Sequence, residues 1–148
     1  MKKMNNKGFS LVELIIVIAI MAILAGAIAP ALIRYIDKSR KSNDISAAKT
    51  IKTSVETALG NEDIYNEVFT GSNSSYGPVE VCSESLSIGT PEIKTNLGGK
   101  APSVKYKKDG QQKFFWEASA SGQVTVYVGT SSNKTMYELA PELHASYK

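Results

Sequence analysis

Apolar positions change their spacing three times along this chain. Residues 14–33 form an unbroken apolar run of twenty without a charged side chain. At 1.5 Å per residue such a helix spans about 30 Å, the hydrocarbon thickness of a bilayer. Beyond it, Tyr35, Ile36, Ile45, Ala48, Ile51, Val55, Ala58 and Leu59 recur every three or four positions with charges between them. That period predicts an amphipathic helix, with Gly60 as its C-terminal cap. The two stretches together predict one long helix over residues 9–59, bridged by "DKSRKSND", polar all round. Residues 60–102 carry the loop signals "GSNSSYGP" and "LGGKAP" and predict irregular chain, with "EVCSESL" open as strand or helix.

After residue 102 the period falls to two. "SVKYKK" and "QKFFWEAS" flank Asp109-Gly110, a strong hairpin signal, and "SGQ" at 121–123 is a second turn before "VTVYVG". Three antiparallel strands in a meander should cover one face of the helix, with Phe114, Trp116, Val124, Val126 and Val128 buried. "TMYELAPEL" predicts a last strand or a turn of helix. The fold class expected is therefore α+β, a long N-terminal helix on a small antiparallel sheet.

Charge and composition narrow the chemistry. The net charge of +3 comes from Lys2, Lys3 and Lys7, ahead of the apolar run, and the rest of the 148 residues is balanced. Lys105, Lys107 and Lys108 read as a solvated strand face rather than a nucleic-acid footprint. The single cysteine, Cys82, excludes an internal disulfide and a thiolate metal cluster. The sole histidine, His144, lies near Glu142 in the tail and reads as a surface residue, because a zinc site or a triad needs further partners. "LGGK" at 97–100 lacks the context of a phosphate loop. No catalytic residue, metal ligand or cofactor is expected.

The N-terminal segment poses the functional question. "KGFSLVELIIVIAIMAILAGAIAPALI" places one acid, Glu13, at the mouth of a bilayer-length helix. A secretory signal would use "AGA" at 25–27 as its cleavage site, but the run is long for an h-region and a cut after Ala29 would leave Pro30 first. A plain single-pass anchor leaves Glu13 without a role, although a carboxylate at hydrocarbon marks function. The segment Lys7-Gly8, Phe9-Ser10-Leu11-Val12-Glu13-Leu14 and the apolar run after it resembles the start of the type IV pilins, over roughly the first 35 residues.

That resemblance implies a leader, residues 1–8, cut between Gly8 and Phe9 by a membrane peptidase that then N-methylates the new Phe9 amine. Residues 9–33 would serve first as a transmembrane helix and later as the core of a fibre. Residues 34–59 would continue as an amphipathic helix into a head formed by residues 60–148. In such proteins the acid pairs with the N-terminal amine of a neighbouring subunit, here Glu13 with Phe9, and sets registry. Gly26 and Pro30 form a weak turn, since Pro30 cannot donate to the Gly26 carbonyl; residues 23–31 are expected to extend in a fibre. The implied partners are further copies of the chain in a helical filament, the prepilin peptidase and methyltransferase, a platform protein with assembly ATPases, and membrane lipid before assembly.

The expected place is the cell membrane, single-pass with the head outside, and then the cell surface. The function implied is a structural subunit for adhesion, motility or biofilm formation. The alternative is a pseudopilin of a type II secretion or competence system, whose major members usually carry an acidic calcium site near the C-terminus. Many pilins staple the C-terminal loop with a disulfide; a single cysteine forbids it here, which is consistent with a Gram-positive source. Packing of Tyr137 and Leu139 is expected to hold the tail instead.

Overall fold

The computed structural model describes residues 8–71, 73–106, 112–130 and 137–148. The chain divides between Lys38 and Ser39 into two compact units.

Helix α1, Leu11–Leu59, runs for 49 residues and continues through Pro30, as the two hydrophobic patterns predict. Within the second unit it buries Asp44, Ala48, Ile51, Ser54, Val55 and Ala58, a stripe at three- and four-residue spacing. Ile45 and Leu59 pack at its margin. Tyr35 and Ile36, assigned by period to the same face, are exposed. The helix closes at Gly60, whose N–H donates to the carbonyls of Glu56 and Thr57.

The segment 60–102 is not irregular. It contains helix α2, Glu62–Val68, strand β1, Ser75–Glu80, and helix α3, Gly89–Asn96. The start of α2 had a legible signal: the Asn61 side chain accepts from the Asp63 N–H at 3.0 Å, and two acids follow it. Helix α3 ends on a Gly98-Gly99 pair, both at positive φ, whose N–H groups reach the carbonyls of Thr95 and Lys94. "EVCSESL" supplies only the last residue of β1 and then turns.

Strands β2, Lys113–Ser119, β3, Val124–Gly129, and β4, Tyr137–Ala140, complete a four-stranded antiparallel sheet in the order β1-β2-β3-β4. The sheet is a meander, as expected, but its first strand differs from the reading. "SVKYKK" is not a strand over residues 103–106; the Asp109-Gly110 hairpin lies outside the described residues. The place of that first strand is taken by "SYGPVE", which the glycine and proline disguised as loop. Its pairing with β2 slips between Tyr76 and Val79. Gly77 makes the slip possible: its φ is +106°, and a Cβ there would lie 2.6 Å from the Trp116 carbonyl oxygen.

Phe114, Trp116, Val124, Val126 and Val128 all face the core, as the alternation predicts. They join Ala48, Ile51, Val55 and Ala58 of α1, Ile64 and Val68 of α2, and Ile93 of α3 in one cluster. Phe115 departs from the alternation: it points to the opposite face yet is only 5% exposed, flanked across the strands by Glu80 and Tyr127. The tail packs through Leu139 and half-buried Tyr137, as expected. It also packs through Tyr147, buried on the 3-10 turn Ala145–Tyr147, with its ring 5.5 Å from that of Tyr106.

Candidate functional site

Among the described residues, the first unit buries none of its apolar side chains. Leu11, Val12 and Leu14 through Ile18 are each at least half exposed, as are Ile20, Met21, Ile23, Leu24, Ile28, Leu32 and Ile33. An 18-residue window of this helix has mean hydropathy 2.9 and is 0% buried, so it is long and apolar enough to cross a membrane. Covering such a surface is worth about 25 cal/mol per Å². A lipid bilayer or neighbouring apolar helices would supply that cover.

Glu13 sits at the head of this surface, in the first turn of α1. Its Oε2 accepts from the Ser10 N–H at 2.8 Å, while the Leu14 N–H donates to the Ser10 carbonyl at 3.2 Å. Ser10-Leu11-Val12-Glu13 therefore has the spacing of a capping box, with the acid reaching back to the residue that opens the helix. The sequence reading assigned Glu13 to a neighbouring amine and missed this intrachain contact, although the S-x-x-E spacing advertised it. The carboxylate also faces the positive end of the helix dipole. Phe9, beside it, is 92% exposed, and nothing lies within 4 Å of where a Cβ on Gly8 would stand. Lys2, Lys3 and Lys7 lie outside the described residues. Farther along, Gly26 is open to substitution on steric grounds and Pro30 remains inside the helix.

The second unit holds two carboxylates in structural roles that the sequence did not reveal. Asp44 is fully buried and accepts from the Lys105 and Tyr106 N–H groups at 2.7 and 2.8 Å. Burial pushes its carboxyl up, against the pull of those two amides. It ties the 101–106 segment to α1, while the Lys41 ammonium stands 5.0 Å from the centre of the Tyr106 ring. The Lys105 backbone thus has an anchoring role, and its neighbours Lys107 and Lys108 lie outside the described residues. Glu67 of α2 reaches the start of α3, accepting from the Ile88 and Gly89 N–H groups at 3.0 and 2.9 Å and from Ser87. Desolvation pushes its carboxyl up, but the Ser87 hydroxyl and the Gly89, Ile88 and Ser87 amides outweigh it and hold the pKa at about 2.

Cys82 is a half-buried thiol with φ +63°, pushed up by burial. It lines a hollow of about 570 Å³ with Leu86, Thr90 and Lys94. His144 is exposed; its Nδ1 accepts from the Ser146 N–H. No group of three or more His, Cys, Asp or Glu that could hold a metal occurs among the described residues.

Residues 3–29 match the family described as "Prokaryotic N-terminal methylation motif". The chain is 36% identical over 91 residues to the "Type IV major fimbrial protein FimA" of Dichelobacter nodosus, covering 60% of this chain and 58% of that protein. It is 47% identical over 54 residues to "Fimbrial protein Q" of Moraxella bovis, covering 36% of this chain and 34% of that protein. To the "Fimbrial protein" of Moraxella nonliquefaciens it is 47% identical over 52 residues, 35% of this chain and 34% of that protein. The chain thus spans between about a third and 58% of the length of these relatives. No solved structure matches. These likenesses give no support to a Gram-positive source.

Proposed function

We propose that the chain, which is similar at its N-terminus to type IV fimbrial proteins, is the repeating structural subunit of a type IV pilus. The observation that carries this reading is the charge-free apolar half of α1, exposed along its whole length and headed by Gly8-Phe9 and a lone acid. A carboxylate at that position is costly in lipid and is accounted for by a contact made in assembly.

In this reading a peptidase cuts between Gly8 and Phe9 and methylates the Phe9 amine. Gly8 suits the cut because an absent side chain admits the peptide bond to a tight site. Residues 9–33 hold the subunit in the membrane with residues 39–148 outside, and then bundle with the same segments of other copies. Glu13 exchanges its Ser10 N–H for the Phe9 amine of an adjoining copy, a stronger, charge-assisted partner. Desolvation offsets much of the gain, so the contact serves registry above stability. The Gly26–Pro30 turn extends as the helix enters the fibre. A platform protein and ATPases move the subunits, and the head presents the surface that adheres to cells, solids or other fibres. The chemistry is structural: the relatives are named as fimbrial proteins rather than enzymes.

Electron microscopy of sheared surface material, labelled with antibody to this chain, tests the proposal. Long labelled fibres support it. Short stubs confined to the envelope identify a pseudopilus, and label on the membrane without fibres identifies a monomeric anchor. Mass spectrometry of the sheared protein should begin at a methylated Phe9; a chain beginning at Met1 or beyond Ala25 overturns the processing scheme.

A further inference from the structure

Among the described residues, one buried side-chain oxygen has no hydrogen-bond partner, Oε1 of Gln112. The residue is only 6% exposed. An amide shut away from water without a partner is costly, and a leucine would fill much the same space without that cost. A polar group held there points to an occupant that supplies the missing donor.

Gln112 stands just before β2 and lines a hollow of about 270 Å³ in the second unit. Beside the amide the wall is apolar, formed by buried Val81, Val104 and Phe114. The rim is polar. Ser103 and Lys113 are exposed there, and half-buried Glu80 is joined to Lys113 at 2.7 Å. The walls are tied in place. The Val81 N–H donates to the Phe114 carbonyl at 2.9 Å, and Asp44 holds the Lys105 and Tyr106 amides just beyond Val104. The hollow is many times the about 30 Å³ that one water takes in the liquid. It lies just under the about 300–1,000 Å³ of sites for drug-sized molecules, so it suits something smaller.

The chemistry of the lining narrows the class of occupant. Gln112 Oε1 needs a donor, the Lys113 ammonium only donates, and the Glu80 carboxylate only accepts. A cationic ligand would meet Lys113 at like charge, and an anionic one would meet Glu80. A hydroxyl both donates and accepts, so it satisfies all three groups without adding a charge. Several hydroxyls on one carbon ring also match a site that is polar at its rim and apolar along one wall. We propose that this hollow binds one pyranose ring of a neutral sugar. One hydroxyl donates to Gln112 Oε1, others meet Glu80 and Lys113, and the C–H face of the ring lies against Val104 and Phe114. The inference goes beyond the pilus reading and stands without it, since it needs only the fold of the second unit.

NMR titration of the full chain, in micelles of a detergent without a sugar head group, tests the proposal. Glucose, galactose and N-acetylglucosamine are added separately. At least one should shift the backbone amide signals of Ser103 and Phe114 saturably, with a midpoint of about 1–10 mM. Gln112→Leu should raise that midpoint about tenfold, because the buried acceptor is gone. Its melting temperature should hold or rise, since an unpartnered polar group leaves the interior; a purely structural amide would lower it. Lys113→Ala, at an exposed position, should raise the midpoint about threefold. No saturable shift from any of the three sugars means that the hollow takes water only and overturns the proposal. Saturable shifts confined to other residues, or an unchanged midpoint in Gln112→Leu, overturn it as well. Should Gln112→Leu melt lower or fail to fold, Lys113→Ala decides: a raised midpoint supports the site and an unchanged one overturns it. None of these outcomes bears on fibre formation, which the microscopy of sheared material reads separately.

Discussion

Residues 11–33 and residues 44–58 belong to one helix but place their apolar residues under opposite constraints. In the first stretch apolar side chains occur on every face, and all the large ones are exposed. In the second they form one stripe, and Ala48, Ile51, Val55 and Ala58 are 0–1% exposed in the head core. Helical propensity is served in both, so the backbone does not separate them. What separates them is where the cover comes from. The stripe is covered by the chain's own sheet and short helices. The uniform rod needs cover from lipid or from copies of itself. A helix apolar all round is buried somewhere, and this one is not buried within its own chain.

The contrast can be broken most forcefully at Glu13. Glu13→Ala should abolish surface fibres while leaving the processed protein in the membrane at its normal level, as read by immunoblot of sheared and membrane fractions. Normal fibres from that variant would remove the registry role. A second experiment compares one truncation in each stretch. Ile51→Ala should destabilise the head by about 2–5 kcal/mol, the usual cost of an emptied aliphatic site. Ile20→Ala should leave head stability unchanged. Thermal unfolding followed by near-ultraviolet circular dichroism, which reads the Trp116 environment, checks both; equal shifts would mean that the head also depends on the first stretch.

The two carboxylates of the head sharpen the comparison with Glu13, because their partners lie within the chain. Asp44→Ala would leave the Lys105 and Tyr106 N–H groups unpaired in the interior and should cost about 1–3 kcal/mol. Asp44→Asn, which keeps one acceptor, should cost less; equal losses in urea titrations would show that only packing counts there.

The smallest of these effects is expected at Glu67, whose side chain is only partly buried, so that water screens its contacts. Its folded-state pKa, about 2, lies below the 4.5 of the free group, so its ionised form favours the folded state. That contribution is complete above about pH 4.5 and fades as the pH falls toward 2. Melting temperatures measured across that window should fall for the wild type, with a flatter slope for Glu67→Gln. An identical slope in the two proteins would assign the acid sensitivity elsewhere.

Much of the fold follows from local pattern. The period of 3.6 located α1 almost to the residue, and the alternation in "KFFWEAS" and "VTVYVG" named the buried face of β2 and β3. Strand β1 escaped because its stretch, "SYGPVE", carries a glycine and a proline that a local reading takes for loop. Its status as a strand depends on pairing with β2, and Val79 and its partner Trp116 are 37 residues apart in sequence. Short helix α3 escaped for a similar reason: Glu67, 22 residues before Gly89, supplies the cap that its own sequence lacks. At the candidate site, Glu13 and Pro30 stand out from the local pattern, whereas the roles of Gly8 and Phe9 are what the resemblance to type IV pilins implies. The capping contact of Glu13 is local as well, since the S-x-x-E spacing of Ser10 and Glu13 carries it.

The sequence alone determined that a charge-free rod of bilayer length begins just after Gly8-Phe9 with one acid at its head, because composition and helical period act over a few neighbouring residues. Only the tertiary structure decided that Asp44 is a buried clamp rather than one more charge in the polar stretch 37–44. The same holds for Tyr147 closing the tail, and for Glu67 capping a helix other than its own. Each of these depends on groups distant in sequence: Asp44 and its amide partners are about sixty residues apart, and Tyr106 and Tyr147 are about forty. Local pattern carries no record of which distant backbone groups will arrive without water and need a partner.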